Sequence, residues 1–130
     1  MKKKKKIDKK TLTKELEVLW KEACLYTWGD ICEVCRKPAN AFHHFIPRSK
    51  SLFLRYDVLN GVPLCRSCHS KIHHITKNPD DVYEIQKKIR KQRGKVWENY
   101  IDTNKRIKGG SYTIELLEKQ IKYLKDLLKR

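Results

Sequence analysis

The sequence predicts an α+β fold, in which a small unit of strand, loop, strand and helix lies between flanking helices. Three observations predict it. Two C-x-x-C pairs have a spacing with which four thiolates can close a tetrahedral cage on one metal ion. Between the pairs, two short apolar stretches have the character of strands and show no helical period. Outside the pairs, apolar residues recur at intervals of three and four, as on one face of a helix.

The metal-binding motif consists of Cys32, Cys35, Cys65 and Cys68. No apolar run approaches the ~18 residues that span a bilayer, and the lysine-rich start lacks the apolar stretch of a signal peptide. We therefore expect no membrane segment and a cytoplasmic, reducing compartment, where paired cysteines are more often metal ligands than disulfides. These four residues predict a structural Zn²⁺. Cys24 is expected to be a small buried side chain instead.

The chain divides into a basic flexible tail at 1–10, a core with a preceding helix at 11–77 and a helical C-terminal extension at 78–130. The first helix is predicted from Thr11, with an apolar face formed by Leu12, Leu16, Leu19, Ala23 and Tyr26. Asn60-Gly61 is a strong turn signal before the second strand. The last helix carries a stripe of Ile114, Leu117, Ile121, Leu124 and Leu128. This stripe is expected to pack against the parent domain, with a homodimer through the same helix as the alternative.

The charge of the chain favours a polyanionic partner. Lys and Arg number 31 against 15 Asp and Glu, which gives a formal charge of +16. Seven lysines and one aspartate in residues 2–10 leave +10 on the rest of the chain, so the basicity is not confined to the tail. Nucleic acid is the commonest partner of such a chain. Arg48, Arg55 and Arg66 are candidate phosphate contacts, and an ordinary solvated charge is the alternative interpretation of each.

A four-cysteine zinc cage needs no histidine, and four of the five histidines in the chain are candidates for other chemistry. His69 and His73 lie four positions apart on the predicted helix, so both project from the same face and can chelate a metal. His43 and His44 would face opposite ways on a strand, and one can bind the metal while its neighbour takes a proton, provided the chain bends locally at the strand end. A divalent metal beside an imidazole that can act as a base is suited to phosphodiester hydrolysis.

The stretches "AFHHFIPRS", "NGVPLCRSCH" and "KIH" resemble the HNH (His-Me finger) nuclease family, whose fold is a ββα-metal core. Asn60 follows His44 by 16 positions and precedes His69 by nine. The resemblance covers about residues 31–74. It implies that His44 is the general base and that His43, His69 and His73 bind a catalytic divalent metal such as Mg²⁺, Mn²⁺, Ni²⁺ or Zn²⁺. It also implies that Asn60 holds the loop bearing His44, and that the substrate is duplex or branched DNA.

A narrower resemblance covers the helix before the first cysteine pair, the stretch "LFLRYDVLN" and the basic helical C-terminus. These features look like the phage NinG/Rap recombination nucleases, which act on branched DNA. The resemblance implies a bacterial or phage-encoded protein in recombination or DNA processing. His43 departs from it, because those proteins usually have a small residue there.

Two other hypotheses remain open at this point. The cysteines could build a zinc-containing nucleic-acid-binding module without catalysis, in which the histidines are ordinary surface or core residues. The chain could instead act on RNA, although the scarcity of exposed aromatic runs disfavours binding by base stacking. His44 discriminates the first hypothesis from an enzyme, since a binding module does not require a general base beside a metal.

Overall fold

The computed structural model describes residues 8–73, 78–107 and 112–130, and the side chain of His73 lies outside this description. The helices and strands, in chain order, are α1 (Lys9–Trp28), β1 (Ala41–His44), α2 (Leu52–Arg55), a 3₁₀ turn (Val58–Asn60), β2 (Gly61–Leu64), α3 (Arg66–His73), α4 (Pro79–Arg93), α5 (Lys95–Asn104) and α6 (Ile114–Leu127). The predicted α+β class is confirmed, with a two-stranded sheet among helices. The sequence did not indicate the short helix α2.

The two strands form an antiparallel hairpin in which His43 pairs with Val62 and His44 with Gly61. Because successive side chains of a strand point to opposite faces, His43 and His44 project to opposite sides of this hairpin. The ring of His43 lies against His69 of α3, and the ring of His44 lies against Trp20 of α1. Helices α1 and α3 therefore cover opposite faces of the sheet.

Gly61 allows α1 to approach β2 closely. A Cβ atom at this position would lie 2.3 Å from the sulfur of Cys24 and 3.2 Å from the Trp20 ring. The backbone of Gly61 is extended, with φ −90° and ψ 134°, so any residue could adopt its conformation. The sequence indicated Asn60-Gly61 only as a turn signal. The structure uses this glycine because a side chain would separate the helix from the sheet.

Helix α1 begins at Lys9, two residues before the predicted start, and residues 1–7 of the predicted tail lie outside the described part. The carboxylate of Asp8 caps it by accepting from the backbone N–H groups of Lys10 (2.6 Å) and Thr11 (3.3 Å). The predicted stripe is buried from Leu12 to Ala23, whereas Tyr26 is 61% exposed. The prediction for Tyr26 was wrong. Each step of four residues turns 40° beyond one full turn of the helix, so the buried face moves away from the side on which Tyr26 lies. The buried stripe therefore drifts round the helix, and its later members are Trp20, Cys24 and half-buried Trp28.

Helix α6 packs against α1, which agrees with the expectation that its apolar stripe packs against the parent domain. Leu117, Ile121 and Leu124 are buried in one cluster with the apolar face of α1. Thr113 caps α6 by accepting from the N–H of Leu116 at 3.1 Å. The three buried residues of the stripe are covered within the chain, whereas Ile114 of the same stripe is 37% exposed, and a homodimer through α6 stays a prediction.

A second cluster lies between the hairpin, α3, α4 and α5. Its members include Val62 and Leu64 of β2, Ile72 of α3, Ile89 of α4 and Ile101 of α5. The helices of residues 78–130 thus contribute to both cores of the protein. The domain boundaries predicted between residues 10 and 11 and between residues 77 and 78 stay predictions. Within the described ranges, none of the helices is both long and apolar enough to cross a membrane.

Arg93, the last residue of α4, ties this helix to the first cysteine pair. Its side chain is 3% exposed, and its Nε lies 2.9 and 3.0 Å from the two carboxylate oxygens of Glu33. The guanidinium also donates to the carbonyls of Leu59 and Gly61, on either side of Asn60, and lies 3.6 Å from the centre of the Trp28 ring. One buried cation therefore joins α4, the first cysteine turn and the start of β2.

We expect Arg93→Ala to lower the free energy of unfolding by roughly 3–5 kcal/mol, because it leaves the Glu33 carboxylate buried and unpaired. Arg90→Ala is the matched control, since Arg90 pairs with Asp102 at 3.0 Å while 29% exposed. Loss of such a partly solvated pair should cost about 1 kcal/mol or less. Urea denaturation followed by circular dichroism measures both. Equal losses in the two variants would contradict a special role for the buried pair.

Candidate active site and metal centre

The four motif cysteines converge at one point. The sulfurs of Cys32, Cys35, Cys65 and Cys68 all lie within 4.8 Å of one another, and those of Cys35 and Cys65 are 3.4 Å apart. In a tetrahedral site with Zn–S bonds of about 2.3 Å, the sulfurs are roughly 3.8 Å apart. The cluster therefore fits a metal ion bound by four thiolates, and its donor set is that of structural zinc.

Each cysteine pair is held by its own backbone. In the first, Arg36 takes a left-handed conformation with φ 67° and donates its N–H to the Cys32 carbonyl at 3.1 Å. In the second, Cys68 is in the first turn of α3 and its N–H donates to the sulfur of Cys65 at 3.4 Å. This hydrogen bond is the largest contribution that lowers the pKa of the Cys65 thiol, to about 7. It favours the thiolate that a metal ligand must be.

A cleft of about 1000 Å³ opens beside the hairpin. Helix α1 lines one wall with Glu17, Trp20 and Lys21, and the other contributions come from β1, α3 and the segment after β1. The predicted site residues that line it are His43, His44, Arg48 and His69. The structure therefore brings together three of the four histidines whose roles the sequence predicted.

His43 and His69 form one side of this site. His43 is 6% exposed, and its ring centre lies 5.6 Å from that of His69 with the planes 67° apart. Two imidazoles that share one metal ion have ring centres roughly 5–6 Å apart, since each metal–nitrogen bond is about 2.0–2.1 Å. The 5.6 Å between the ring centres of His43 and His69 lies in this range. His73 is one helical turn beyond His69 on α3, but its side chain lies outside the described residues.

His44 is held on the other side of β1 by two contacts. Its Nε2 lies 2.9 Å from the carbonyl oxygen of Arg55, and its ring stacks on Trp20 with centres 4.1 Å apart and planes within 7°. A carbonyl can only accept, so Nε2 carries the proton, and in the neutral ring the lone pair is on Nδ1. Trp20 is itself fixed, because its indole N–H donates to the Asp57 carbonyl at 2.9 Å. The orientation and tautomer of His44 are thus set by its neighbours.

Asn60 is completely buried and connects the two segments that hold His44. Its side-chain oxygen accepts from the N–H of Ile46 at 2.8 Å, and its amide nitrogen donates to the carbonyls of Ile46 (3.0 Å) and Leu54 (3.1 Å). Its backbone carbonyl accepts from Phe45 at 2.9 Å. Ile46 follows His44 by two residues, and Leu54 precedes Arg55, whose backbone carbonyl accepts the hydrogen bond from His44. Asn60 therefore fixes the backbone on both sides of the imidazole.

The three candidate arginines are placed differently. Arg48 lines the cleft and its side chain is 58% exposed, whereas the side chain of Arg55 is 28% exposed. Both approach the carboxylate of Glu17. Arg66 is exposed at the start of α3, outside the residues that line the cleft. The structure therefore groups Arg48 with Arg55 and leaves Arg66 apart.

Sequence reasoning missed Trp20, Glu17 and Tyr56, which line the cleft together with the histidines. Trp20 lies four residues after Leu16 and four before Cys24, a spacing that could have placed it beside the predicted apolar face. Glu17 and Tyr56 give no such signal, because a single acidic residue in a charged helix and a single tyrosine in a loop are unremarkable by themselves.

Comparison with known proteins identifies the class of this domain. Residues 32–75 match the family described as HNH endonuclease, and this stretch contains both cysteine pairs, all five histidines and Asn60. The chain therefore carries an HNH endonuclease domain at residues 32–75, as the sequence predicted.

One curated relative is a mitochondrial DNA mismatch repair protein mutS homolog from Sarcophyton glaucum, which is 46% identical over 48 residues. The match covers 34% of this chain and 5% of that protein. The chain thus corresponds to a small part of this relative. No solved structure matches the chain.

Proposed function

We propose that this protein is a metal-dependent HNH endonuclease that hydrolyses phosphodiester bonds in DNA. The observation that carries the proposal is that His44, the last residue of β1, lines the same cleft as the His43–His69 pair, although its ring lies on the other face of the strand. A base is useful for hydrolysis only if its ring is oriented and its tautomer is fixed, and Arg55 and Trp20 do both for His44.

In this proposal, His44 is the general base. With its Nε2–H donated to the carbonyl of Arg55, the imidazole takes a proton from the attacking water on Nδ1. The positive charge that then develops on the ring is stabilised by the same carbonyl oxygen and by the face of Trp20. Asn60 supports the base without touching the substrate, because its amide fixes the segments that follow His44 and precede Arg55.

His43, His69 and His73 are proposed to hold the catalytic divalent metal, which is Mg²⁺, Mn²⁺, Ni²⁺ or Zn²⁺. Such an ion neutralises phosphate charge and the leaving 3′ oxygen when it is bound. The separation of the His43 and His69 rings supports one ion between them. The cysteine cluster is proposed to hold a separate structural zinc, which fixes α3 and hence His69 relative to the hairpin.

The net charge of +16 supports nucleic acid as the substrate. DNA is favoured over RNA by the resemblance to HNH nucleases and by the matched relative, whose name refers to DNA mismatch repair. On the resemblance to NinG/Rap enzymes, we propose branched DNA as a substrate. The same resemblance suggests a role in phage-type recombination or DNA processing in an intracellular compartment.

A cleavage assay tests this function. The purified protein is incubated with supercoiled plasmid, linear duplex, single-stranded DNA, branched DNA and RNA, with each of the four metals added separately. We expect cleavage of at least one DNA and none without added metal. Cleavage of RNA alone would redirect the proposal to an RNA nuclease. DNA binding without cleavage under any condition would favour the non-catalytic zinc module.

A further inference from the structure

Glu17 of α1, which lines the cleft, is an anion held between two cations, of which Arg48 also lines the cleft and Arg55 lies beside it. Oε1 of Glu17 lies 3.8 Å from Nη1 of Arg48 and 3.8 Å from Nη2 of Arg55. An oxygen shared by two guanidinium groups is the arrangement in which arginines hold a phosphate. The carboxylate of Glu17 therefore occupies a position that a phosphate oxygen could take.

Two buried polar atoms beside this cluster indicate that the wall accepts a further group. The hydroxyl of Tyr56 and the Nε of Arg55 are buried and make no hydrogen bond within the described residues. Tyr56 is only 2% exposed, and its ring centre lies 5.1 Å from the guanidinium carbon of Arg55. Buried polar groups in folded proteins are normally hydrogen-bonded. These two donors without acceptors, on consecutive residues of the chain, are what a site for an oxyanion requires.

The Tyr56 hydroxyl remains a donor at neutral pH. Burial is the main cause that raises the pKa of Tyr56 above its usual value. The charges of Arg55 and Arg48 lower this pKa and the charge of Glu17 raises it, and the net direction is upward. A protonated hydroxyl and two guanidinium groups all donate, so they complement the oxygens of a phosphate and repel a cation.

The position of this cluster links it to the proposed base. Arg55 supplies the backbone carbonyl that accepts from His44, and Arg48 follows His44 by four residues. Arg48, Tyr56 and Glu17 line the same cleft as the three described histidines. A DNA strand whose scissile phosphate lies at His44 would bring a neighbouring phosphate to this wall.

We propose that Arg48, Arg55 and Tyr56 form a phosphate subsite that positions the DNA strand beside the scissile bond, and that Glu17 occupies this subsite until DNA displaces it. The inference rests on the proposed function, because it takes DNA as the substrate. Glu17 thereby opposes DNA binding, since its carboxylate competes with the phosphate and repels it. The side chain of Glu17 is 41% exposed and can turn into solvent when the phosphate enters.

The test compares Glu17→Gln with Glu15→Gln. Both residues lie on α1, both side chains are about two-fifths exposed and each contacts a basic side chain, which for Glu15 is Lys125 at 3.2 Å. The two substitutions remove the same charge, so only the position differs. Affinity for a fluorescent duplex is measured without added divalent metal, so that cleavage does not interfere. We expect Glu17→Gln to tighten binding about two- to fivefold and Glu15→Gln to change it by less than about twofold.

Two further variants test the phosphate side of the subsite. Tyr56→Phe removes only the hydroxyl, and because that group makes no hydrogen bond within the described chain, its loss should not destabilise the fold. We expect it to weaken DNA binding about two- to fivefold. The double variant Glu17→Gln/Arg48→Gln is compared with Arg48→Gln alone. The increase in DNA affinity caused by Glu17→Gln should be smaller in this background, because one of the two arginines for which Glu17 and the phosphate compete is gone. Thermal melting confirms that each variant is folded.

Equal tightening by Glu17→Gln and Glu15→Gln would show a general charge effect and overturn the subsite, as would unchanged affinity in Tyr56→Phe. Either result would leave the proposed nuclease function intact, because the parent protein would still bind and cut DNA. Failure of the parent protein to bind any DNA would overturn the proposed function and this inference together.

Discussion

Replacing Cys35 and Cys68 together with serine is expected to unfold the core around the hairpin. The four sulfurs converge within 4.8 Å, and a bound structural zinc contributes an apparent ~10–16 kcal/mol to folding. Serine hydroxyls cannot replace thiolates as zinc ligands, so this free energy is lost. The loss is as large as or larger than the whole stability of most domains, which is about 5–15 kcal/mol. Three of the four cysteines also belong to the buried cluster between the hairpin and α4–α5.

Elemental analysis and thermal melting by circular dichroism measure this outcome. The parent protein should contain one tightly bound zinc per chain, and a strong chelator should lower its melting temperature. Cys24→Ser is the matched control, because Cys24 is completely buried but lies outside the cluster. Burial raises the pKa of its thiol to about 12, which keeps it protonated. This variant should keep its zinc. Well-folded parent protein without zinc would contradict the prediction.

The metal cluster and the hairpin could be predicted because their signals are local. Each C-x-x-C pair places two ligands within one turn, and the apolar stretches around His43 and Val62 have the length of strands. The i, i+4 spacing of His69 and His73 on α3 also follows from local geometry alone. In each case, a few neighbouring residues determine the arrangement, so one sequence is sufficient.

The contacts that position the site could not be predicted, because they join residues far apart in the chain. Arg93 meets Glu33 across 60 positions, and Trp20 reaches His44 only because Gly61 lets α1 approach the sheet. Tyr56 becomes part of the cleft through its packing against α1. Arg93, Glu33 and Tyr56 belong to no repeating pattern, and the helical spacing of Trp20 indicates its burial on α1 but not its contact with His44. Their roles depend on how helices and sheet pack, which periodicity does not specify.

His44→Ala is expected to lose DNA cleavage by at least ~10²–10⁴-fold, the range typical for a missing general base. The variant should keep its structural zinc, because His44 is not part of the cysteine cluster. It should also keep DNA affinity, since the basic residues are unchanged. Single-turnover cleavage of a labelled duplex, measured beside binding of the same duplex, separates the chemical step from substrate binding.

His69→Ala provides the comparison that distinguishes a base from a metal ligand. Its ring lies beside His43 on the opposite side of β1 from the stacked His44, so its removal should weaken binding of the catalytic metal. Excess Mn²⁺ or Ni²⁺ should therefore partly restore cleavage by His69→Ala, because mass action can refill a weakened site. The same excess should leave His44→Ala inactive, since added metal cannot supply the proton acceptor that Trp20 and Arg55 hold in place. Equal rescue of both variants would show that His44 acts through the metal, and cleavage by His44→Ala at the parental rate would show that it is not the base.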